Sequence, residues 1–233
     1  MRHTALAPTV LGLLLAAAPL TQAAARPIPL ADAHLSAYRA TYAITGAVRG
    51  TQTWRVSPDG SALTTVVVQT RLPGERESQT FVLGAHGLRP RSVFEEVHAS
   101  ALSMTIHAVA VGRKIDETAV VNGKTEHVTY PLAPTTVINA TLLVTIAGLR
   151  IRAGEVSVIH DVVLQHAEDA PVGLSVGDRA TTIRTQAGTF TCLPVTLSSA
   201  SGHQTVWLST GPEPVLVRYA NGQTTFTLTA LAR

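Results

Sequence analysis

The sequence predicts a mainly β domain, an antiparallel sandwich or barrel carrying one helix. Three observations predict it. Turn signals recur at intervals of about 8–12 residues along most of the chain, the rhythm of antiparallel all-β folds. Charged residues are only 14% of the chain while hydrophobic residues reach 45%; Thr, Ser and Val fill the difference, and β-branched residues suit a pleated, half-buried surface. Only the stretch after Pro131 and Pro134 shows apolar residues at helical spacing.

Taken in order, strand signals begin at 35–44 with Tyr38, Tyr42 and Ile44, and Gly46 and Gly50 punctuate the end. Residues 51–56 alternate around Trp54. Ser57-Pro58-Asp59-Gly60 has turn chemistry, Pro fixing φ and Gly accepting a positive one. Runs at 62–72, 79–83, 88–97 and 101–111 follow, separated by Pro73-Gly74 and by Ala85-His86-Gly87. Asn122-Gly123, between runs at 114–121 and 124–130, is the strongest short hairpin signal in the chain. Next, Thr135 or Thr136 can cap a helix starting near Val137, with Ile138, Leu142, Leu143, Ile146 and Leu149 on one face. A β-run is the rival there, because Val, Ile and Thr abound. Strands resume at 155–164, 176–185, 189–198, 204–208, 215–219 and 224–231, with Asn221-Gly222 closing the last hairpin. No fixed period marks a repeat array.

The first 25 residues read as an export signal. Met1-Arg2-His3 is a short positive start, Leu6–Leu20 an apolar core, and Thr21-Gln22-Ala23-Ala24-Ala25 a small-residue cleavage region that fits cleavage after Ala23 or Ala25. The apolar run falls short of the roughly 20 residues a spanning helix needs. No cysteine stands just after the cleavage region, so lipid attachment is not expected. Residues 26–233 are then expected as a single β-rich domain, exported to the periplasm or beyond and not membrane-spanning once the signal is removed.

The chemistry-bearing residues do not form a motif. The net charge is +3, the basic residues are scattered, and aromatics are 4%; nucleic-acid binders concentrate Lys and Arg in a stripe. His160-Asp161 and His166-x-Glu168-Asp169 are the densest cluster. On one strand, however, two His six residues apart are about 20 Å apart and cannot share an ion. His98, His107 and His127 are isolated. Ser175, Ser199 and Ser201 fall in expected turns without a nominated His, and G-x-S-x-G, P-loop and G-x-G-x-x-G patterns are absent. Glu95 and Glu96 are neighbours on a strand and point to opposite faces. The single cysteine, Cys192, reads as a small buried hydrophobe. No catalytic residue, metal or cofactor is nominated.

The C-terminal half carries a resemblance. Val176-Gly177-Asp178-Arg179, Thr185-Gln186-Ala187-Gly188-Thr189-Phe190-Thr191-Cys192, Val206-Trp207-Leu208-Ser209 and Pro214-Val215-Leu216-Val217-Arg218-Tyr219 resemble the DUF3108-type domain of exported bacterial proteins. Tyr38, Tyr42, Gly46, Gly50 and Trp54 fit its opening strands. The chain departs from that pattern at Asp178, where Glu one position later is usual, and at Leu208, where an aromatic is common. The resemblance implies an antiparallel curled sheet or half-open β-barrel, similar to lipoprotein carriers, with the helix against its concave face. It implies no catalytic residues. Such a fold would enclose an apolar cavity, with Tyr42, Trp54, Leu142, Ile146, Phe190 and Trp207 as the expected lining and a lipid or other hydrophobic small molecule as the expected partner. The helix is read as the plug of the half-barrel, its alternative being a lid. The resulting expectation is a non-catalytic binding or structural module of the cell envelope. A secreted hydrolase whose site only geometry would reveal is the alternative.

Overall fold

The computed structural model describes residues 26–27, 30–71, 73–133, 135–164, 168–200 and 202–233. The expected signal at 1–25 lies outside them, as do His166 and Ser201. The strands are β1 (Arg26–Pro27), β2 (Tyr38–Gly46), β3 (Gly50–Asp59), β4 (Ala62–Arg71), β5 (Glu75–Gly84), β6 (Pro90–Ala99), β7 (Leu102–Val111), β8 (Lys114–Val121), β9 (Lys124–Pro131) and β10 (Thr136–Ile138). The helix α1 (Leu142–Gly148) precedes β11 (Val156–Val163), β12 (Glu168–Val176), β13 (Thr181–Thr185), β14 (Gly188–Ser199), β15 (Gly202–Ser209), β16 (Leu216–Ala220) and β17 (Thr224–Ala232).

All of these strands belong to one sheet, in the order β1-β10-β11-β12-β13-β14-β15-β16-β17-β2-β3-β4-β5-β6-β7-β8-β9. Strands β2 to β9 form one uninterrupted antiparallel meander. The two arms meet where β17 pairs antiparallel with β2, Thr224 opposite Gly46 and Ala232 opposite Arg39. β1 and β10 pair in parallel with β11 and edge the sheet on one side; β9 edges it on the other. The expected mainly β, curled architecture is present, and the barrel is not closed.

Alternation sets the two faces. In β2, Tyr38, Ala40, Tyr42 and Ile44 are buried, and in β4 Leu63, Thr65, Val67 and Gln69 are; period 2 puts each set on one face. α1 is buried nearly all round, with only Leu143 half-buried. A helix apolar on every side belongs in an interior, so it fills the curl as core. Its end is fixed tightly. Gly148 accepts a 2.9 Å bond from the His34 N–H, and a Cβ there would lie 2.5 Å from Leu88 Cδ1 and 2.9 Å from Leu35 Cγ.

The hairpin at Asn122-Gly123 forms as the sequence predicts, with φ of 47° and 80° between the paired Val121 and Lys124, the all-positive geometry of a type I′ turn. Other elements differ from expectation. The helix starts at Leu142, because Thr136, Val137 and Ile138 pair in parallel with His160, Asp161 and Val162; the β-branched run wins that segment, as its rival reading allows. Thr136 caps nothing, and its hydroxyl accepts from the Ala133 N–H at 3.0 Å. The expected turn at 57–60 is mostly strand, for β3 runs to Asp59 and only Gly60 (φ 53°) and Ser61 turn it. Pro58 is tolerated because β2 pairs with β3 only as far as Val56, leaving no neighbour on that side to need its missing N–H. β12 has no counterpart in the sequence reading. Its Pro171 sits beyond the Gly173–Val176 stretch that pairs with β14, so it too has a free side. Ser175 lies inside that strand opposite Val156, not in a turn, and Ser199 ends β14.

Candidate functional site: the polar strip on the concave face

Tyr42 and Trp54 lie together in the core, their rings 5.1 Å apart. Both are buried, as are Leu142 and Ile146 of α1. The Tyr42 hydroxyl donates to the Leu216 carbonyl at 3.1 Å. Phe190 and Trp207 are only half-buried. In β15 the buried Val206 and Leu208 flank Trp207, so alternation places its ring on the opposite face from theirs. There the Arg218 guanidinium carbon stands 6.0 Å from the ring centroid, a cation–π geometry, and Thr227 faces Arg218 from the next strand. The six expected lining residues therefore divide. Four are buried in the core, and Phe190 and Trp207 are half-buried and pack against it, Trp207 beside Arg218.

A shallow, open depression of about 550 Å³ lies at the β2–β3 turn, lined by Ile44, Thr45, Gly46, Arg49, Gly50, Thr51 and Thr70. Gly46 (φ 109°) and Gly50 (φ 156°) are there for packing, since a Cβ on either would collide with the carbonyl oxygen of Gln223 or Thr70.

Polar side chains that no motif announces cross the concave face in phase with the core. Gln52 follows the phase of Trp54 in β3, Gln69 that of Val67 in β4, Glu95 that of Val93 in β6, and Glu117 that of Ile115 and Ala119 in β8. The sheet register lines them up across neighbouring strands: Gln52 opposite Gln69, Gln69 opposite Glu77, and Gln79 opposite Glu95. They are bonded to one another. Trp54 Nε1 donates to Gln52 Oε1 at 2.9 Å, and Gln52 Nε2 donates to Gln69 Oε1 at 3.0 Å. Glu77 accepts from Arg71 at 2.8 Å and from Gln79 at 2.7 Å. Two strands away from Glu95, Tyr130 donates to Glu117 at 2.6 Å.

Burial of carboxylates in a concavity disfavours their charged form. It raises Glu77, against the pull of Arg71 and of the Gln79 bond. It raises Glu95 to about 7, helped by the like charges of Glu77 and Glu117 and opposed by the Gln79 bond and Arg71. Glu96 faces the other way, half-buried and 3.2 Å from His98, so the expected divergence of the two Glu holds. Cys192 is buried, and burial pushes its thiol up to about 11, opposed by Arg218; such a thiol is inert.

The strip was readable in principle as polar residues at in-phase positions of alternating strands. Searching for chemical motifs does not find it, because its members come from β3, β4, β5, β6 and β8. Among the described residues no three His, Cys, Asp or Glu gather as a metal site, and no helix is long and apolar enough to cross a membrane. No family model, no curated protein and no solved structure matches the chain.

Proposed function

We propose that this protein is an exported cell-envelope binding module, a divergent relative of the DUF3108-type domain, that holds a hydrophobic or amphipathic small molecule on the concave face of its open sheet. The observation that carries the reading is the mixed lining of that face. A face that served only as core would gain little from burying Gln52 and Gln69 and half-burying Glu77 and Glu95, since desolvating such groups is costly unless they are fully satisfied. An apolar surface with a few convergent polar groups is the usual make-up of a small-molecule site. The analogy with lipid-carrying half-barrels comes from the resemblance of the sequence to the DUF3108-type domain and is one of architecture alone.

The experiment is to let a bacterium export the full chain, purify it without detergent, and extract it for mass spectrometry. The reading expects one class of amphiphile at near-stoichiometric amount. Protein that carries nothing, and takes up no added alkyl compound, would rule it out.

A second reading, a hydrolase, is favoured by one specific observation. Glu95, poised near neutrality and coupled to Glu77, has the character of a general acid beside a carboxylate. Glycoside or ester hydrolysis by the purified protein that Glu95→Gln abolishes would establish it; activity that survives the substitution would dismiss Glu95 from the role.

A further inference from the structure

Basic residues that are scattered along the sequence gather at one end of the sheet. In an antiparallel meander alternate turns lie at the same end, so the β3–β4, β5–β6 and β7–β8 connections share one rim. The segment after α1 joins them there. The His34 N–H donates to the Gly148 carbonyl at 2.9 Å, and the Gly87 N–H to the Ala33 carbonyl at 3.2 Å. From the other side, the Leu132 N–H donates to the Arg113 carbonyl at 2.8 Å, and the chain then passes into β10 beside β11. This rim presents Arg89 and Arg91, Arg113 and Lys114, and Arg150 and Arg152, all exposed. Among the described residues none of the six is ion-paired, and Arg91 donates to the Ser61 hydroxyl at 3.4 Å. Acids on the same connections are fewer. They are Asp32, Asp59 and Glu155, the last accepting from the Arg152 backbone N–H at 3.0 Å, and Asp178 is offset by its neighbour Arg179. The four meander turns at the other end carry one charged residue between their strands, Arg49.

Among the described residues the exposed large apolar side chains are Phe94, Val111 and Val156, and two of them stand on this rim. Val111, 59% exposed, ends β7 beside Arg113 and Lys114, and Val156, 57% exposed, opens β11 after Arg152. Cations interleaved with outward apolar side chains fit a lipid–water interface, where the charges meet headgroup phosphates and the apolar groups enter the acyl boundary. A soluble polyanion would use the charges and gain nothing from the valines. We propose that this rim docks on a membrane surface of anionic phospholipid, with Val111 and Val156 turned into the headgroup layer. The docking surface goes beyond the binding-module reading and does not require it.

The test is co-sedimentation of the full exported chain with vesicles of phosphatidylcholine alone and of phosphatidylcholine with phosphatidylglycerol in equal parts. Binding to the anionic vesicles is expected to be about tenfold or more tighter and to fall steeply with added salt, which screens the exposed charges. A cation near an anionic surface is worth about fivefold in binding, so Arg113→Glu with Lys114→Glu is expected to weaken it about 25-fold or more. Arg150→Glu with Arg152→Glu, from the other side of the rim, is expected to do the same, and Arg49→Glu, at the opposite end, to change it little. Val111→Ser with Val156→Ser is expected to weaken vesicle binding several-fold at unchanged charge. No preference for anionic vesicles overturns the proposal, as does a loss from Arg49→Glu as large as that from the rim pairs. Binding that ignores both valines and is competed away by heparin assigns the rim to a soluble polyanion and overturns docking on lipid. Vesicle binding by protein whose concave face carries no amphiphile supports the rim and counts against the binding-module reading alone. Circular dichroism confirms that each variant is folded.

Discussion

The two arms of the sheet solve the same problem differently. From β2 to β9 the chain is a meander of strands 8–10 residues long, each joined to the next by a short connection. From β10 to β17 the strands vary from 3 to 12 residues, two parallel pairings appear, and a helix interrupts. The regular arm buries one face and puts its polar strip there. The irregular arm buries residues on both faces, and Trp207 with Arg218 lies on the far side from Val206 and Leu208. Regularity therefore marks the arm with the proposed ligand strip, and irregularity marks the arm that supplies the plug.

The largest expected contrast is between the two tryptophans. Trp54→Ala removes a fully buried ring, its contact with Tyr42 and its bond to Gln52, and is expected to cost about 3–5 kcal/mol in urea unfolding. Trp207→Ala removes a half-buried ring and a cation–π contact, at about 1–2 kcal/mol. Equal losses would mean that the division into core and outer layer is misdrawn.

The pH dependence sharpens the same contrast. Glu95 is raised from 4.5 to about 7 on folding, so between those values the native state binds more protons than the unfolded one. This penalty on stability is absent below about pH 4.5, grows as pH rises, and is complete above about pH 7. Glu95→Gln is therefore expected to leave stability unchanged at pH 4.5 and raise it by about 1–3 kcal/mol at pH 8. Glu96→Gln, on the opposite face, is expected to change it little at either pH. A Glu95 variant with no gain at pH 8 would show that the strip is open to water.

The smallest effect separates two neighbouring tyrosines of β2. The Tyr42 hydroxyl has the Leu216 carbonyl as its partner, so Tyr42→Phe is expected to cost about 1 kcal/mol. The Tyr38 hydroxyl is buried without a partner, so Tyr38→Phe is expected to cost nothing or to stabilise slightly. Thermal unfolding of the pair checks it.

What the sequence reveals follows the same division. In the meander, alternation and turn residues such as Asn122-Gly123 place nearly every strand, because each pairs with its sequence neighbour and local chemistry decides the register. In the other arm β10 and β12 depend on distant partners. Pro171 and Gly173 look like loop residues until β11 is seen beside them, and Val137 and Ile138 fit a helix as well as a strand until the parallel pairing with Asp161 and Val162 decides. The site is harder to read than the fold. Tyr42 and Trp54 could be singled out as large aromatics, but Gln52, Gln69, Glu77 and Glu95 acquire meaning only when the register sets them side by side.

The central claim is that this concave face holds an amphiphile, and mass spectrometry of the exported protein, purified without detergent, tests it most directly. The account predicts one class of alkyl-chain amphiphile, retained by the native chain at near-stoichiometric amount. Native protein that carries nothing, and that takes up no added alkyl compound, would contradict it.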